Sequence, residues 1–219
     1  MDLKGTLVAD RYELVQLAGE GGMGTVWRGV IRGAAGFSRP VAVKRIHRHL
    51  AGSTEQVRMF IEEARVVAGL QHPNIVQVHD FGVDSNGYYL VMEWVEGLDL
   101  VAWLDGQRRI APKVPWRLIA AMGAGVSAAL GAAHGRETDE GEPAPAFHRD
   151  VTPQNIMVGS HGVVMLTDFG LARAMDRARM TAPDVVKGKL SYLAPEMTHG
   201  KSASAATDIF SLGIVMWEG

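Results

Sequence analysis

Five runs rich in β-branched and aromatic residues recur through the first 94 positions, a pattern typical of β-strands. They are, in chain order, YELVQLA, TVWRGVI, PVAVKRI, NIVQVHDFG and GYYLVMEW. One helical pattern interrupts them, because apolar residues recur at helical spacing from Val57 to Val67, after Ser53 and Gln56 in capping-box spacing. This part of the chain is therefore predicted to be a small β-rich lobe with one helix.

Helical patterns dominate after Gly97, and short strands are expected only at 156–158 and 163–166. The most apolar stretch, Leu118 to Ala133, has no charge but is shorter than a membrane span, so it is predicted to be a buried helix. A short connector near Glu93–Gly97 would join the two parts. The predicted fold class is α+β, with a small β-rich lobe and a larger, mostly helical lobe.

Composition limits the classes of function. A chain of 219 residues with 47% hydrophobic content can bury a core as one domain or as two joined lobes. The net charge of −2 gives no electrostatic argument for a nucleic-acid partner, and the absence of cysteine excludes a disulfide framework. The first residues, MDLKGTLVADRYEL, lack the apolar region of a secretory signal. We therefore expect a cytoplasmic protein with no nucleic-acid partner and no membrane segment in this chain.

Three glycines, Gly19, Gly21 and Gly24, have the spacing G-x-G-x-x-G. A dinucleotide-binding fingerprint with this spacing opens a helix, but here TVWRGVI predicts a second strand. The glycines are therefore expected at a hairpin tip, where backbone amides can close over phosphates. An ordinary glycine-rich hairpin is the alternative.

Lys44 lies on the next predicted strand, among β-branched residues that favour burial. A buried ammonium group needs a partner, or it deprotonates. Glu63 is the expected partner because it shares the apolar face of the helix with Phe60 and Val67, and Glu62 is the alternative. Such a pair would hold the lysine ready for nucleotide phosphates.

Asp150 and Asn155 lie five residues apart in a predicted loop, and Asp168 follows at the end of a strand. Two carboxylates and an amide oxygen are hard ligands that suit Mg²⁺ carrying phosphate oxygens. Taken one at a time, each of these groups could instead be an ordinary loop cap.

Together with HRD-x-x-x-x-N, DFG and APE (Ala194–Glu196), these motifs occur in the order and spacing of the protein kinase family, which the chain resembles from about Arg11 to its last residue. EGGMGTVW, EARVVAGLQHPNIV and YLAPE are most similar to the eukaryotic-like serine/threonine kinases of bacteria. The resemblance implies a bilobal kinase fold, with 1–11 as an N-terminal extension, 12–95 as N-lobe and hinge, and 96–219 as an incomplete C-lobe.

The cofactors that the resemblance implies are ATP and Mg²⁺. The three glycines would cover the ATP phosphates, and Lys44 and Glu63 would form the ion pair. Met92 would be the gatekeeper, followed directly by the hinge. The residues around the adenine would be Val26, Ala42, Met92, Glu93, Val95 and Met157.

In the larger lobe, the resemblance implies that Asp150 accepts or orients the proton of the substrate hydroxyl, while Asn155 and Asp168 hold Mg²⁺. Catalysis would then consist mostly of positioning and charge neutralisation. His148 would be a core histidine packed on Phe169 rather than a general base.

Asp208 would anchor the backbone of the catalytic loop. The last residues, IFSLGIVMWEG, resemble a long central helix that continues in family members, so we expect a truncated chain that is marginally stable and prone to aggregation. Apolar residues of this helix would then lie open. They are Ile209, Leu212, Ile214, Val215 and Trp217.

The activity that the resemblance implies is transfer of the γ-phosphoryl group of ATP to serine or threonine hydroxyls of protein substrates. The alternative is a pseudokinase that binds nucleotide or partners without transfer, although Lys44, Asp150, Asn155 and Asp168 are all present. A small-molecule phosphotransferase fits less well, because such enzymes typically lack this glycine loop and the APE segment.

Arg149 stands beside the catalytic acid, where it could pair with a phosphate on the activation loop. Thr181 lies far enough before the APE segment to reach it, so Thr181 is the predicted autophosphorylation site. Autophosphorylation would bring two kinase molecules into contact. A plain solvated threonine is the alternative.

The acidic segment 135–146 is longer than the family's usual link between a helix and the catalytic loop. We expect a tolerated surface loop. A docking site for basic substrates is the alternative.

Two residue types are exchanged relative to the family pattern. Serine/threonine kinases have a lysine two residues after the catalytic acid, where this chain has Thr152. They have a threonine just after the glycine that precedes the APE segment, where this chain has Lys189 after Gly188. If the two loops lie side by side, Lys189 could return its ammonium group to the transferring phosphoryl group, and Thr152 could supply the hydroxyl. The alternative is that Thr152 marks a weakened kinase.

Overall fold

Two compact units divide the chain: residues 1–68 with 77–95 form the first, and residues 69–76 with 96–219 form the second. The computed structural model describes residues 3–21, 24–46, 54–111, 113–169 and 190–219. At 54–57, 59–60, 63 and 190 the description covers the backbone alone. The β-rich first unit and mostly helical second unit confirm the predicted fold class.

An antiparallel six-stranded sheet and one helix form the first unit, and the strand order is β1-β2-β3-β4-β6-β5. The elements are β1 Leu7–Val8, β2 Tyr12–Gly21, β3 Gly24–Arg32, β4 Ser38–Ile46, α1 Thr54–Ala68, β5 Val78–Asp84 and β6 Gly87–Glu93. Helix α1 packs against β5. The structure therefore confirms the predicted helix and strand-rich character, and it adds the short edge strand β1. Ser53 and the Gln56 side chain of the predicted capping box lie outside the described residues.

One face of this sheet is the apolar core of the first unit. Its buried members are Val8, Tyr12, Leu14, Trp27, Val41, Val43, Tyr89 and Val91. The sheet curls around this core, because Tyr12 on β2 donates its hydroxyl hydrogen to Asp80 on β5 over 2.6 Å, although β3, β4 and β6 lie between these two strands in the sheet order. Burial, reinforced by the bond to Asp80, raises the pKa of Tyr12 to about 12.

A second polar contact ties β4 to β5. The Arg45 guanidinium donates to both carboxylate oxygens of Asp84, at 2.9 and 2.7 Å, and lies over the ring of Tyr89. Burial alone would raise the pKa of Asp84, but the hydrogen bonds from Arg45 and from the backbone of Asn86 and Gly87 outweigh it and lower the pKa. This bidentate ion pair fixes β4 at Arg45, the residue that follows Lys44.

Helices predominate in the second unit, which also has a small antiparallel sheet of order β7-β8-β9. The elements are β7 Gly97–Asp99, α2 Leu100–Ile110, α3 Trp116–His134, β8 Ile156–Gly159, β9 Val164–Leu166, α4 Pro195–Thr198 and α5 Ala205–Glu218, with 3₁₀ turns at Pro153–Asn155 and Leu190–Tyr192. Asp99 caps α2 by accepting the Ala102 amide hydrogen over 2.8 Å. Strands β8 and β9 match the prediction, whereas β7 was not predicted.

Helix α3 packs on α5 and β9. It is the one helix, among the described residues, that is long and apolar enough by length and composition to cross a membrane. Its inward-facing side chains are Ile119, Met122, Val126, Ala129, Leu130 and Ala133. Gly123 lets α5 approach closely, because a Cβ there would lie 2.5 Å from the Met216 side chain. The prediction of a buried helix is therefore confirmed.

The expectation that the apolar face of α5 lies open is wrong for two of its residues. Leu212 and Val215 were expected to lie open, but both are buried, because α5 packs on α3. Ile209 and Trp217 are exposed, as expected, and Ile214 is half-buried.

Residues 69–76 belong to the second unit, although the sequence analysis placed them within 12–95. Ile75 pairs with Leu166 as an isolated parallel bridge, and the Val76 amide donates to the Leu166 carbonyl over 2.9 Å. The run NIVQVHDFG is consequently a strand of the first sheet only from Val78 onward. Its first residues lie against β9 instead.

The acidic segment 135–146 forms a short turn beyond α3. Glu137 and Pro143 pair across it, and the Thr138 amide donates to the Glu142 carbonyl over 2.8 Å. Most of its residues are exposed, as a surface loop requires.

Candidate functional site

The glycines of the first unit lie where β2 and β3 meet. Gly19 pairs with Val26, and Gly21 pairs with Gly24, at the end of the β2–β3 ladder; residues 22–23 lie outside the described residues. A Cβ added at Gly19 or Gly21 would meet no atom within 4 Å, so the backbone there is open to approach. At Gly24 a Cβ would lie 1.7 Å from the carbonyl oxygen of Arg45. Gly24 is thus required by packing against β4.

The sheet register gathers four of the predicted nucleotide-binding residues on one face. Val26 lies opposite Lys44, and Ala42 lies opposite Met92. Alternate residues of a strand share a face, and so do directly opposed residues. This face is the one that does not carry the Trp27 core, and Lys44 on it is only 4% exposed.

The predicted partner of Lys44 is on α1. The side chain of Glu63 lies outside the described residues, so the Lys44–Glu63 pair stays a prediction. Glu62, the alternative, is exposed and lies 3.9 Å from Arg58 in an i,i+4 pair on the helix surface. A surface pair of this kind contributes little and does not bring Glu62 toward a buried ammonium group.

The predicted hinge begins where β6 ends. Glu93 pairs with Val41, and its amide donates to the Gln77 carbonyl over 2.8 Å. Val95 is half-buried at the end of the first unit. Met157, the remaining predicted adenine contact, is half-buried in β8 of the second unit.

One carboxylate organises the loop of the second unit that contains the predicted catalytic residue Asp150. Asp208, 1% exposed on α5, accepts the His148 amide hydrogen at Oδ2 and the Arg149 amide hydrogen at Oδ1, each over 2.8 Å. These two bonds hold Arg149 at a φ of 68°, a left-handed conformation that is uncommon for residues other than glycine. The predicted anchoring role of Asp208 is confirmed.

His134 is a third partner of that carboxylate, and it was not predicted from the sequence. Its Nε2 lies 2.9 Å from Asp208 Oδ2, and its ring packs on Phe147. His134 ends α3, so the contact joins two helices to the loop. A histidine at the end of a helix gives no local signal of a partner 74 residues away.

His148 is fully buried with its ring 4.6 Å from that of Phe169, which confirms the predicted core packing. Its Nδ1 accepts the Asp150 amide hydrogen over 3.2 Å, so Nε2 carries the proton and donates to the Thr167 carbonyl over 2.9 Å. Burial lowers the pKa of His148, because the charged ring would lose its hydration. Both ring nitrogens are engaged, so this histidine is unsuited to general-base work.

Asp150 and Asn155 are in direct contact. The Asn155 side-chain amide donates to the Asp150 backbone carbonyl over 2.8 Å and to its carboxylate Oδ2 over 3.0 Å. The backbone carbonyl of Asn155 accepts the backbone amide hydrogen of Thr167, the residue before Asp168, over 2.9 Å. The loop that contains Asp150 and Asn155 is thereby joined to the strand end at the residue before Asp168.

This donor set fits Mg²⁺. The two bonds to Asp150 use the Asn155 amide nitrogen and do not use its oxygen, which is the atom suited to a hard cation. Asp168 has a φ of 62°, a conformation that aspartate tolerates better than most residues. Asn155 and Asp168 are the residues that would hold the metal.

Thr152 lies in the same loop. It is 1% exposed, and its hydroxyl has no hydrogen-bond partner among the residues that the structure describes. A buried hydroxyl without a partner is costly. Lys189 and Thr181, the two further predicted residues, lie outside the described ranges.

Tyr192 and Ser191 are the other hydroxyls before the APE segment. The Tyr192 hydroxyl donates to Glu218 over 2.5 Å, and burial together with Glu218 raises the pKa of Tyr192 to about 12. Tyr192 and Glu218 line a cavity of about 440 Å³ that extends to Gln154. Ser191 is exposed.

Comparison with known proteins shows the family of this chain. The family model described as "Protein kinase domain" matches residues 12–219. The tyrosine-protein kinase MasK of Myxococcus xanthus is 38% identical over 207 residues, which cover 94% of this chain and 32% of MasK. The serine/threonine-protein kinase PkaB of Streptomyces coelicolor is 38% identical over 220 residues, which cover 96% of this chain and 48% of PkaB.

Solved structures agree. The crystal structure of the Mycobacterium tuberculosis PknI kinase domain superposes with a TM-score of 0.75 at 28% identity, covering 100% of this chain and 75% of that one. This chain spans between about a third and a half of the length of the curated relatives MasK and PkaB. The similarity to bacterial kinases and the matching motifs confirm the resemblance seen in the sequence. The chain belongs to the protein kinase domain family.

Proposed function

We propose that this chain is the catalytic domain of a protein serine/threonine kinase, which transfers the γ-phosphoryl group of ATP to hydroxyl groups of protein substrates. The observation that carries the proposal is the Asp150–Asn155 contact beside Asp168, together with a buried lysine on the first sheet. Relatives named as serine/threonine kinases support the substrate class. MasK is named as a tyrosine kinase, so the accepting residue type needs its own test.

In the proposed reaction, the substrate hydroxyl oxygen forms a bond to the γ-phosphorus, and the bond from that phosphorus to the β–γ bridging oxygen breaks, which releases ADP. Asp150 accepts or orients the hydroxyl proton. The Asn155 amide holds the Asp150 carboxylate, and the Asp150 amide bonded to His148 fixes the backbone there. These hydrogen bonds fix the position of the Asp150 carboxylate, which would act as the base.

Mg²⁺ supplies charge neutralisation on the phosphates when it is bound. Asn155 and Asp168 would hold it. In the first unit, Lys44 would hold the α- and β-phosphates with Glu63 as its partner, and the open glycines, Gly19 and Gly21, would let backbone amides approach phosphate oxygens.

The family's residue roles assign the adenine contacts to residues that are described in each unit by itself. Val26 and Ala42 share a face of the first sheet, and Met157 lies in β8. Glu93 and Val95 would bind the adenine edge through the hinge backbone after Met92. These assignments apply the family's residue roles to matching positions of this chain.

The exchange of Thr152 and Lys189 remains part of the proposal. The buried hydroxyl of Thr152 lacks a partner in the described part of the chain, as a hydroxyl would if its partner were among residues 170–189. Lys189 would then provide the positive charge that Thr152 cannot. Thr181 is the proposed autophosphorylation site, with Arg149 as the phosphate's partner and a second kinase molecule as the phosphorylating enzyme. A cytoplasmic location, where ATP is present, completes the proposal.

The test is transfer of radiolabelled phosphate from ATP to a generic protein substrate, followed by analysis of the phosphorylated amino acids. We expect label on serine or threonine that depends on Mg²⁺, and loss of label in Asp150→Asn. Arg32→Ala is the matched control, since Arg32 pairs with Glu13 on the surface of the first unit. Label on tyrosine alone would overturn the substrate class.

A pseudokinase is the second candidate, and Thr152 is the observation that favours it. A protein that binds MgATP but transfers no label to any substrate or to itself would establish this function. The same preparation must bind nucleotide, so that loss of folding is distinguished from loss of chemistry.

A further inference from the structure

Arg28 lies on the face of the first sheet that carries the proposed nucleotide-binding residues. It is two residues after Val26 on β3, and it lies directly opposite Ala42, which in turn lies opposite Met92. Opposed residues of an antiparallel pair share a face, so Arg28 belongs to the same row as Ala42 and Met92. Nothing in the kinase assignments above gives this arginine a role.

The described partner of Arg28 is an aromatic ring. Its guanidinium carbon lies 5.7 Å from the centre of the Trp94 ring, within the range of a cation–π interaction. Other arginines of this sheet pair with carboxylates: Arg32 with Glu13 at 2.6 Å and Arg45 with Asp84 at 2.7 Å. Within the described ranges, Arg28 makes no such ion pair. Its charge is directed at Trp94.

Trp94 is the first residue after strand β6. Strand β6 ends at Glu93, whose pairing with Val41 is the last rung of the ladder on that side. Trp94 therefore lies between Glu93 and Val95, the two proposed hinge residues, and beyond the ladder hydrogen bonds. A planar guanidinium against its ring restricts the ring and, through it, the backbone on either side.

We propose that Arg28 is a positioning residue for nucleotide binding: it braces Trp94 and so holds the Glu93–Val95 backbone ready for the adenine edge. The inference rests on the proposed function, because it concerns the same nucleotide site. Arg28 acts through Trp94 and need not touch the nucleotide. Its effect should therefore appear in nucleotide affinity more than in the chemical step.

The experiment measures the dissociation constant of MgADP by calorimetry and the KM and kcat for ATP. Arg28→Ala is expected to weaken MgADP binding about two- to fivefold, which corresponds to one partly exposed cation–π contact, and to raise KM more than it lowers kcat. Arg28→Lys should restore part of the affinity, because an ammonium group also interacts with the ring. Arg32→Ala, on the same face of the same strand, should leave the affinity unchanged.

A double-mutant cycle isolates the contact. Adding Arg28→Ala to Trp94→Leu should cause no further loss of MgADP affinity, because the ring is already absent. If the losses of MgADP binding free energy in the two single variants simply add, Arg28 does not act through Trp94. A lower melting temperature of Arg28→Ala with an unchanged KM would also contradict the proposal. If the unsubstituted protein binds no MgADP, the proposed function itself fails. If that protein binds MgADP and Arg28→Ala binds it equally well, only the brace fails.

Discussion

Two glycines of the same motif have different physical reasons to be glycine. Gly21 faces open space, whereas a Cβ at Gly24 would overlap the Arg45 carbonyl. We expect Gly24→Ala to lower the free energy of unfolding by roughly 2–4 kcal/mol, because the β3–β4 pairing next to Lys44 must shift. Gly21→Ala should change stability by less than roughly 1 kcal/mol and weaken MgATP binding instead. Urea unfolding and calorimetry separate the two, and equal stability losses would contradict the distinction.

The Thr152–Lys189 exchange predicts coupling between two substitutions. Thr152→Lys and Lys189→Thr should each slow phosphoryl transfer by roughly 10²–10³ in the complete protein, because each alters a charge or hydroxyl near the transferring group. The double substitution should recover much of the activity, with a coupling energy of roughly 0.5–3 kcal/mol. The measurement is kcat/KM for a peptide substrate.

Lys187→Thr is the matched control for this cycle, since it removes a lysine two residues from Lys189. It should not be rescued by Thr152→Lys. If the effects of Thr152→Lys and Lys189→Thr simply add, the exchange is wrong, and Thr152 marks a weakened kinase.

Burial of His148 predicts a loss of stability in acid. Its folded-state pKa lies below the ordinary value of about 6.5, so the unfolded chain binds the proton first. The stability that neutral His148 contributes is complete above about pH 6.5 and is lost as the pH falls from there through the folded-state pKa. One proton accounts for a slope of up to about 1.4 kcal/mol per pH unit.

The check is urea unfolding at pH 7.5 and pH 5.5 for the unsubstituted protein and for His148→Phe. The variant should be less stable at pH 7.5, because it lacks the bonds to Asp150 and Thr167, yet it should lose less stability on acidification. His79, whose pKa is also lowered by burial, contributes equally to both proteins. Identical pH slopes would show that His148 does not carry the effect.

Among the structural elements, the acidic turn at 135–146 is largely self-contained. Its backbone bonds, Thr138 to Glu142 and Ala144 to Arg136, are internal, and Ala146 to Ala133 joins it to α3. We expect replacement of residues 138–142 by Asn-Gly to shift the melting temperature by no more than about 2 °C, because the closure entropy of a surface loop varies slowly with its length. Substrate preference should also stay unchanged.

The measurement pairs a melting curve with kcat/KM for one basic and one acidic peptide. A selective loss of activity toward the basic peptide would show that the segment is a docking site. Charge reversal of exposed Glu140 alone, which preserves the turn, serves as the control for loop length.

For the molecule as a whole, activation is predicted to depend on Thr181. Mass spectrometry of an active preparation should find phosphate on Thr181, and Thr181→Ala should lower activity, because the negative charge that Arg149 would bind is absent. Ser191→Ala is the control, since Ser191 is exposed but is not the predicted site. An active preparation in which Thr181 is always bare would contradict the prediction.

Sequence patterns predicted most of the helices and strands, because the residues that favour each element are neighbours along the chain. Runs rich in β-branched and aromatic residues located the strands that carry Val26 and Lys44, and an uncharged apolar run located α3. The prediction missed β7, since its three residues pair only through tertiary contact with β8, where a Cβ at Gly97 would lie 2.1 Å from the Val158 carbonyl. The bridge between Ile75 and Leu166 escaped it for the same reason.

The candidate site divides in the same way. Motif spacing identified Asp150, Asn155 and Asp168, because their order along the chain carries the signal. The roles of Arg28 and His134 depend on partners 66 and 74 residues away, so no window of sequence contains both members of either contact. Such contacts become visible only in coordinates.

The carboxylate of Asp208 has one more consequence, for the exchange of amide hydrogens with solvent deuterium. The backbone amides of His148 and Arg149 both donate hydrogen bonds to this carboxylate, so neither amide hydrogen can exchange until the loop detaches from α5. A single opening event exposes both, and their protection factors should therefore be nearly equal and change together. The exchange rates of these two amide hydrogens therefore report how often the loop detaches from Asp208. They can be measured without any substrate.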